Sequence, residues 1–148
     1  MKEWEEIPYV EIAKQITSEE DKIIDFGCGD NQFKNHVKNQ VTSVDHIAID
    51  DTVIACDMAD LSEYVEDESY DVAVFSLSLW GTNYPDYLKE AYRILIRKGM
   101  IYIAEPTKEM EDPKAQDEFI SLLNNIGFKL VGKIDVRNKF TYVTAIKI

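Results

Sequence analysis

Residues 22–30, Lys-Ile-Ile-Asp-Phe-Gly-Cys-Gly-Asp, decide how this chain reads. A short apolar run ends in an acid, followed by two glycines one residue apart and then a second acid. Without a Cβ, Gly27 and Gly29 let the backbone turn sharply and approach a ligand closely, as a nucleoside docking at the end of a buried strand requires. The surroundings keep the same register. A second strand is expected over 41–45 and ends in Asp45, about 20 residues beyond Asp25, where an acid can grip ribose hydroxyls. A third is expected over 54–57 and ends in Asp57, followed by Met58. Three successive strands thus deliver an acid at the C-terminal edge, where open α/β sheets bind ligands.

A dinucleotide site would place a third glycine where Gln32 stands, so the following helix start suits a pyrophosphate poorly. S-adenosylmethionine fits this glycine-poor loop better, because it has no phosphates and carries an ammonium and a sulfonium.

At 148 residues and 45% hydrophobic, residues 1–148 are expected to form a single domain. No stretch approaches 18 apolar residues, and the N-terminus has no apolar run behind its charge, so no membrane span or signal peptide is expected. Cys28 and Cys56 have neither zinc spacing nor a disulfide framework, and no metal is expected. These features point to an intracellular, reducing compartment, cytoplasmic, or nuclear and nucleolar in a eukaryote. The net charge of −12 opposes nucleic acid. An RNA partner is therefore expected to need another domain or protein for much of its binding.

Along the chain, a helix is expected from Pro8 with Tyr9, Ile12, Ala13 and Ile16 on one face, and a polar helix over 31–38. The run 70–77 reads as the central strand, apolar on both faces at Val72-Ala73-Val74-Phe75. Pro85 opens a helix, 100–104 is a fifth strand, and Asp112-Pro113 caps a helix that Gly127 stops. No helix separates 128–136 from 141–148, so these two read as strands of an antiparallel hairpin. Alternating strands and helices closed by such a hairpin describe an α/β, Rossmann-like, seven-stranded class I methyltransferase sheet with helices on both faces.

Several stretches carry a resemblance to one family. They are Asp25-Phe26-Gly27-Cys28-Gly29-Asp30, Cys56-Asp57-Met58-Ala59, Glu66-Asp67-Glu68-Ser69, Asp71-Val72-Ala73-Val74-Phe75 and Ser78-Leu79-Trp80-Gly81-Thr82-Asn83. The chain resembles the ribosomal RNA processing protein eight, or nucleomethylin, family from about Trp4 to its C-terminus. The resemblance implies S-adenosylmethionine as methyl donor, with S-adenosylhomocysteine as product. In eukaryotic members it implies N1-methylation of an adenine in large-subunit ribosomal RNA. Carried over by position, Gly27 would line the methionine part, Asp45 would hold the ribose, and Asp57 would accept from the adenine amino group beside the Met58 backbone. Ser76 would lie under the sulfonium, where the family more often has cysteine. Ile7 stands where the family has a histidine before Pro8, and Arg97-Lys98-Gly99-Met100 replaces its Lys-Pro-Gly-Gly turn. Asp25, Gly27, Gly29, Asp45, Asp57, Met58 and Ser76 are thus the expected cofactor residues.

Methyl transfer needs positioning more than proton transfer. Ser76-Leu77-Ser78-Leu79 lacks the Asp/Asn-Pro-Pro-aromatic motif of exocyclic amine methylation, and no Pro-Cys follows the strand for attack on a pyrimidine ring. Trp80, Thr82, Asn83 and Glu105 are acceptor-side candidates. Trp80 or Tyr84 could stack on a base, a contact worth about 1–3 kcal/mol. Equally, Trp80 could cap the core, Asn83 the next helix, and Glu105 could be a solvated loop acid. A branched residue at Gly27 is expected to fill space the ligand needs. A small-molecule acceptor, or a non-catalytic S-adenosylmethionine-binding regulatory module, stands as the alternative.

Overall fold

Five parallel strands and an antiparallel edge form one sheet, described in a computed structural model over residues 6–79 and 83–148. The parallel strands are β1 (Ile23–Phe26), β2 (Val41–Asp45), β3 (Val53–Ala55), β4 (Tyr70–Ser76) and β5 (Leu95–Pro106). The edge comprises β6 (Phe128–Leu130), β7 (Asp135–Val136) and β8 (Phe140–Lys147). The order is β3-β2-β1-β4-β5-β8-β6, with β7 also paired to β8. It reverses direction between β1 and β4, and the crevice at that switch point is where such sheets take ligands.

Alternation along the strands explains the two cores. Ile24, Phe26, Ala73, Phe75, Ile101, Ile103 and Val143 point to one face, covered by α2 (Tyr84–Ile94) and α4 (Pro113–Ile126). There they meet Leu88, Ala91, Ile94, Phe119 and Leu123. Ile23, Val72, Val74, Tyr102, Ala104 and Tyr142 point to the other face, against Ile12 of α1 (Pro8–Gln15) and Phe33. Each cluster is almost fully buried, and burying one such aliphatic or aromatic side chain stabilises by about 1.5–3 kcal/mol. The two faces are unequally clad. Three helices, with the short α3 (Thr107–Met110), follow β4 in sequence, whereas α1 and one 3-10 turn cover the second face.

Four local expectations are corrected. The polar helix over 31–38 is only a 3-10 turn, Phe33–His36. Asn31, at φ +61°, turns inward to accept from the Ser43 hydroxyl at 2.6 Å and to donate to Thr52 Oγ1 at 3.0 Å. Those contacts hold the chain out of a helical start. The third strand begins and ends earlier than expected, leaving Asp57 two residues beyond it. The fifth strand is longer, absorbing an irregularity at 95–99 where Lys98 sits at φ +67°. The run 128–136 breaks into β6 and β7 around Gly132, at φ +69°, so the sheet counts eight strands. The pairing with β8 advances by two residues between them, from Leu130 opposite Ala145 to Asp135 opposite Tyr142. α4 follows the sequence closely: the Asp112 carboxylate accepts from the Lys114 amide at 3.0 Å, and Gly127 ends the helix at φ +124°.

Candidate active site

The loop after β1 is built on its glycines and on β2. The amides of Gly27 and Cys28 both donate to the Val44 carbonyl, at 2.8 and 3.1 Å, with Gly27 at φ +74° and Gly29 at φ +55°. The Gly29 amide donates to Asp45 Oδ2 at 2.9 Å, and Asp45 Oδ1 accepts from the His46 amide at 2.6 Å and the Ile47 amide at 3.4 Å. The Asp45 carboxylate is thus fixed by three amides while Oδ2 retains capacity for a hydroxyl.

The turn after β4 presses against that loop. A Cβ on Gly27 would lie 2.4 Å from Ser78 Cβ, so the space it leaves is taken by the protein itself and not by open cavity. This corrects the expectation for a branched residue there. Gly29 has open space where its Cβ would be. Ser78 Oγ donates to the Phe26 carbonyl at 2.5 Å, and the Leu77 amide to the Ala104 carbonyl at 2.9 Å. Leu77 holds φ +58° with its side chain 46% exposed. Glu105 is no solvated loop acid. It is buried, and its Oε1 accepts from the Leu79 amide at 2.9 Å, which ties the turn to β5.

Between these turns lies a cavity of about 170 Å³. It is lined by Asp25, Gly27, Gly29, Ser76 and Leu77 from the sheet and its turns, and by Pro8, Tyr9 and Phe33. Four of the seven expected cofactor residues therefore converge, with Asp45 joined through Gly29. The other two sit differently: Asp57 is exposed, its Oδ1 accepting from the Ala59 amide at 2.9 Å, and Met58 is buried beneath the Gly27 loop. They are held near Asp45 by the Cys56 amide, which donates to the Asp45 carbonyl at 2.9 Å. The segment after them is clamped to α2, where the Leu61 amide donates to Glu90 and Arg93 reaches Glu90, Asp67 and the Val65 carbonyl.

Asp25 is the telling residue. It is 2% exposed and accepts no hydrogen bond from any described residue. Burial, aided by the nearby Asp45 carboxylate, raises its carboxyl to about 7. A buried acid lining a cavity is a place for a cation. The same burial, with Asp25 and Asp45 adding to it, pushes the Cys28 thiol up to about 12, which fits packing and excludes a ready nucleophile. Among the described residues no His, Cys, Asp and Glu cluster is arranged to hold a metal ion, and no helix is long and apolar enough to cross a membrane.

On the acceptor side, Trp80 and Thr82 lie outside the described residues. Asn83 stands at the N-cap position of α2, but its side chain makes no capping hydrogen bond. Tyr84 turns toward Phe119, ring centroids 6.4 Å apart, which leaves it facing the α4 core. Asn31 and Ser78 escaped sequence reasoning, whereas the start of α1 was pointed to by Ile7, standing where the family's histidine before Pro8 reaches the cofactor. Only Gly27, by demanding a close neighbour, hinted at Ser78.

The match to a known family is complete in length: residues 1–148 fit the family described as "Hypothetical methyltransferase". The chain belongs to this methyltransferase family. Its relatives include ribosomal RNA-processing protein 8 of Arabidopsis thaliana, 42% identical over 147 residues, covering 94% of this chain and 49% of the relative. The Rattus norvegicus protein of the same name is 39% identical over 97% of this chain and 30% of its own length. A Schizosaccharomyces pombe relative, named 25S rRNA (adenine(645)-N(1))-methyltransferase, is 40% identical over 79% of this chain and 37% of its own. The chain thus spans about half the length, or less, of these curated relatives.

Solved structures agree on the fold of this methyltransferase-family chain. Burkholderia thailandensis 1,6-didemethyltoxoflavin-N1-methyltransferase, solved with S-adenosylhomocysteine, superposes with a TM-score of 0.72 at 20% identity, covering 95% of this chain and 76% of that one. An Aquifex aeolicus S-adenosylmethionine-dependent methyltransferase gives 0.70 at 15% identity, covering 96% and 90%. The Rossmann-like class I methyltransferase architecture expected from the sequence is the architecture found.

Proposed function

We propose that this protein is an S-adenosylmethionine-dependent methyltransferase whose acceptor is the N1 atom of an adenine in ribosomal RNA. The observation that carries the cofactor is the buried Asp25 carboxylate beside the open Gly29 turn. The acceptor rests on the relative named for adenine N1 methylation. Asp25 would hold the methionine ammonium, Asp45 the ribose hydroxyls, Asp57 and the Met58 backbone the adenine, and Ser76 would lie beneath the sulfonium. The enclosed 170 Å³ suits the methionine end alone, since whole-ligand pockets run to about 300–1,000 Å³. The nucleoside end would then run along the open edge past Gly29 and Asp45.

When bound, S-adenosylmethionine supplies a methyl on a positively charged sulfur. The acceptor nitrogen brings its own lone pair, so the protein needs no general base, only a near-attack pose and exclusion of water. The turn 77–79, clamped by Phe26, Ala104 and Glu105, gives that pose a rigid floor. With a charge of −12 the domain has little to offer a phosphate backbone, so RNA binding is assigned in part to another domain or protein. In a eukaryote such a protein would work in the nucleus or nucleolus.

The test is incubation with methyl-labelled cofactor, ribosomal RNA lacking its native methylation, and a small-molecule extract. Label in RNA, absent with Asp25→Ala, is expected. Label in small molecules alone would move the assignment to a metabolite acceptor, and none in either to a cofactor-binding regulatory module.

A further inference from the structure

We propose that Arg137 is a positioning residue for the cofactor, acting through α1 without lining the cavity. The inference rests on reading the Asp25 cavity as the S-adenosylmethionine site. Pro8 and Tyr9, in the first turn of α1, line the same cavity as Asp25 and Ser76. What holds that turn toward the hairpin is a polar junction. Arg137 Nη1 donates to Glu11 at 2.6 Å, one turn beyond Pro8, and to Glu6 at 3.4 Å, just before the helix. Its Nε donates to Asp135 at 3.0 Å, and its guanidinium lies 4.5 Å from the centroid of the Tyr142 ring. The Tyr142 hydroxyl in turn donates to Glu6, and the Arg137 carbonyl accepts from Thr107 Oγ1 at 2.7 Å. The guanidinium is therefore anchored on the β7–β8 side and reaches across to α1.

A second feature makes this junction matter. Along the rest of that flank α1 meets the hairpin across an open groove. A groove of about 510 Å³ separates Glu11, Lys14 and Gln15 from Val131, Gly132 and Lys133. Gln15 and Thr144 touch at 3.3 Å. Apolar burial fixes the underside of α1 through Ile12, in one cluster with Tyr102 and Tyr142, while its outer edge at Glu11 is held by polar contacts. The ion pairs of Arg137 Nη1 with Glu11 and Glu6, directional where dispersion is not, set the lean of α1 toward the hairpin, and that lean sets how closely Tyr9 stands to Asp25.

Stopped-flow and equilibrium titration with S-adenosylhomocysteine, well below the melting temperature, test this on Arg137→Ala, Glu11→Gln and Tyr9→Ala. Removing these ion pairs should speed ligand dissociation and weaken affinity by about fivefold, the scale of a modest site-to-site coupling. Glu11→Gln should give a smaller change of the same sign. In a Tyr9→Ala background, Arg137→Ala should add little, because the wall through which it acts is already cut back. A merely structural Arg137 would lower the melting temperature equally in both backgrounds, with affinity and dissociation rate of the folded protein unchanged. That result, or additive losses of affinity, would overturn the proposal. Failure of the unaltered protein to bind S-adenosylhomocysteine would overturn the cofactor reading itself, and this inference with it.

Discussion

Asp25→Asn should remove a pH dependence that the unaltered protein shows on binding S-adenosylhomocysteine. The Asp25 carboxyl, raised to about 7 by burial and by Asp45, is mostly protonated at mildly acid pH. A ligand ammonium is attracted only by the ionised form, so affinity should follow the ionised fraction. Between pH 5.5 and 7 that fraction rises about fifteenfold, equivalent to ~1.6 kcal/mol, while the ligand α-ammonium, beside its own carboxylate, stays charged. Calorimetry in buffers of different ionisation enthalpy should also register release of a proton on binding below pH 7. Without ligand the sign on folding is reversed. An acid whose folded value lies above its unfolded one stabilises the fold below about pH 4 and loses that contribution as pH rises through about 7. Asp25→Asn should therefore be more stable to unfolding than the unaltered protein at pH 8, by at most ~4 kcal/mol, and melt correspondingly higher. A ligand affinity independent of pH from 5.5 to 7, or unchanged in Asp25→Asn, would refute the ammonium assignment.

Other consequences follow from the same geometry. Asp45→Ala should cost about 1.5–3 kcal/mol of cofactor affinity, and about 1 kcal/mol of stability as well, because its carboxylate also receives three loop amides; calorimetry and melting curves read the two separately. Gly27→Ala should destabilise by about 2–3 kcal/mol, since its Cβ meets Ser78 at 2.4 Å and its φ is +74°. Adding Ser78→Gly should restore part of the melting temperature, which strain from φ alone would not allow. Asp112→Ala should cost about 1 kcal/mol through loss of the α4 cap and leave S-adenosylhomocysteine affinity untouched.

The parallel core and its acids were legible because they depend on local patterns. Ile23–Phe26 is a short apolar run closed by the glycine loop, and Val41–Asp45, alternating valines with Thr42 and Ser43 before its acid, has the expected bounds. Asp112 and Gly127 bracket α4 for equally local reasons. Where the reading failed, the cause was long-range. Asn31 leaves the helical path for Ser43 and Thr52, partners 12 and 21 residues away. Ser78 fills the space above Gly27, and Glu105 holds Leu79 across 26 residues, neither implied by spacing. Gly132 did carry a signal: a lone glycine inside a strand pattern marks a bulge. At the start of α1 only the resemblance, through the family histidine that Ile7 replaces, pointed to the site; the structure adds Pro8 and Tyr9 to the cavity lining.

The central claim is transfer of a methyl to adenine N1, and nucleoside analysis of the reacted RNA tests it most directly. Ribosomal RNA lacking the modification should, after incubation with the protein and S-adenosylmethionine and complete digestion, yield 1-methyladenosine above an Asp25→Ala control. Methyl on another nucleoside or on the exocyclic nitrogen of adenine, or RNA left unmodified while a small molecule is methylated, would contradict it.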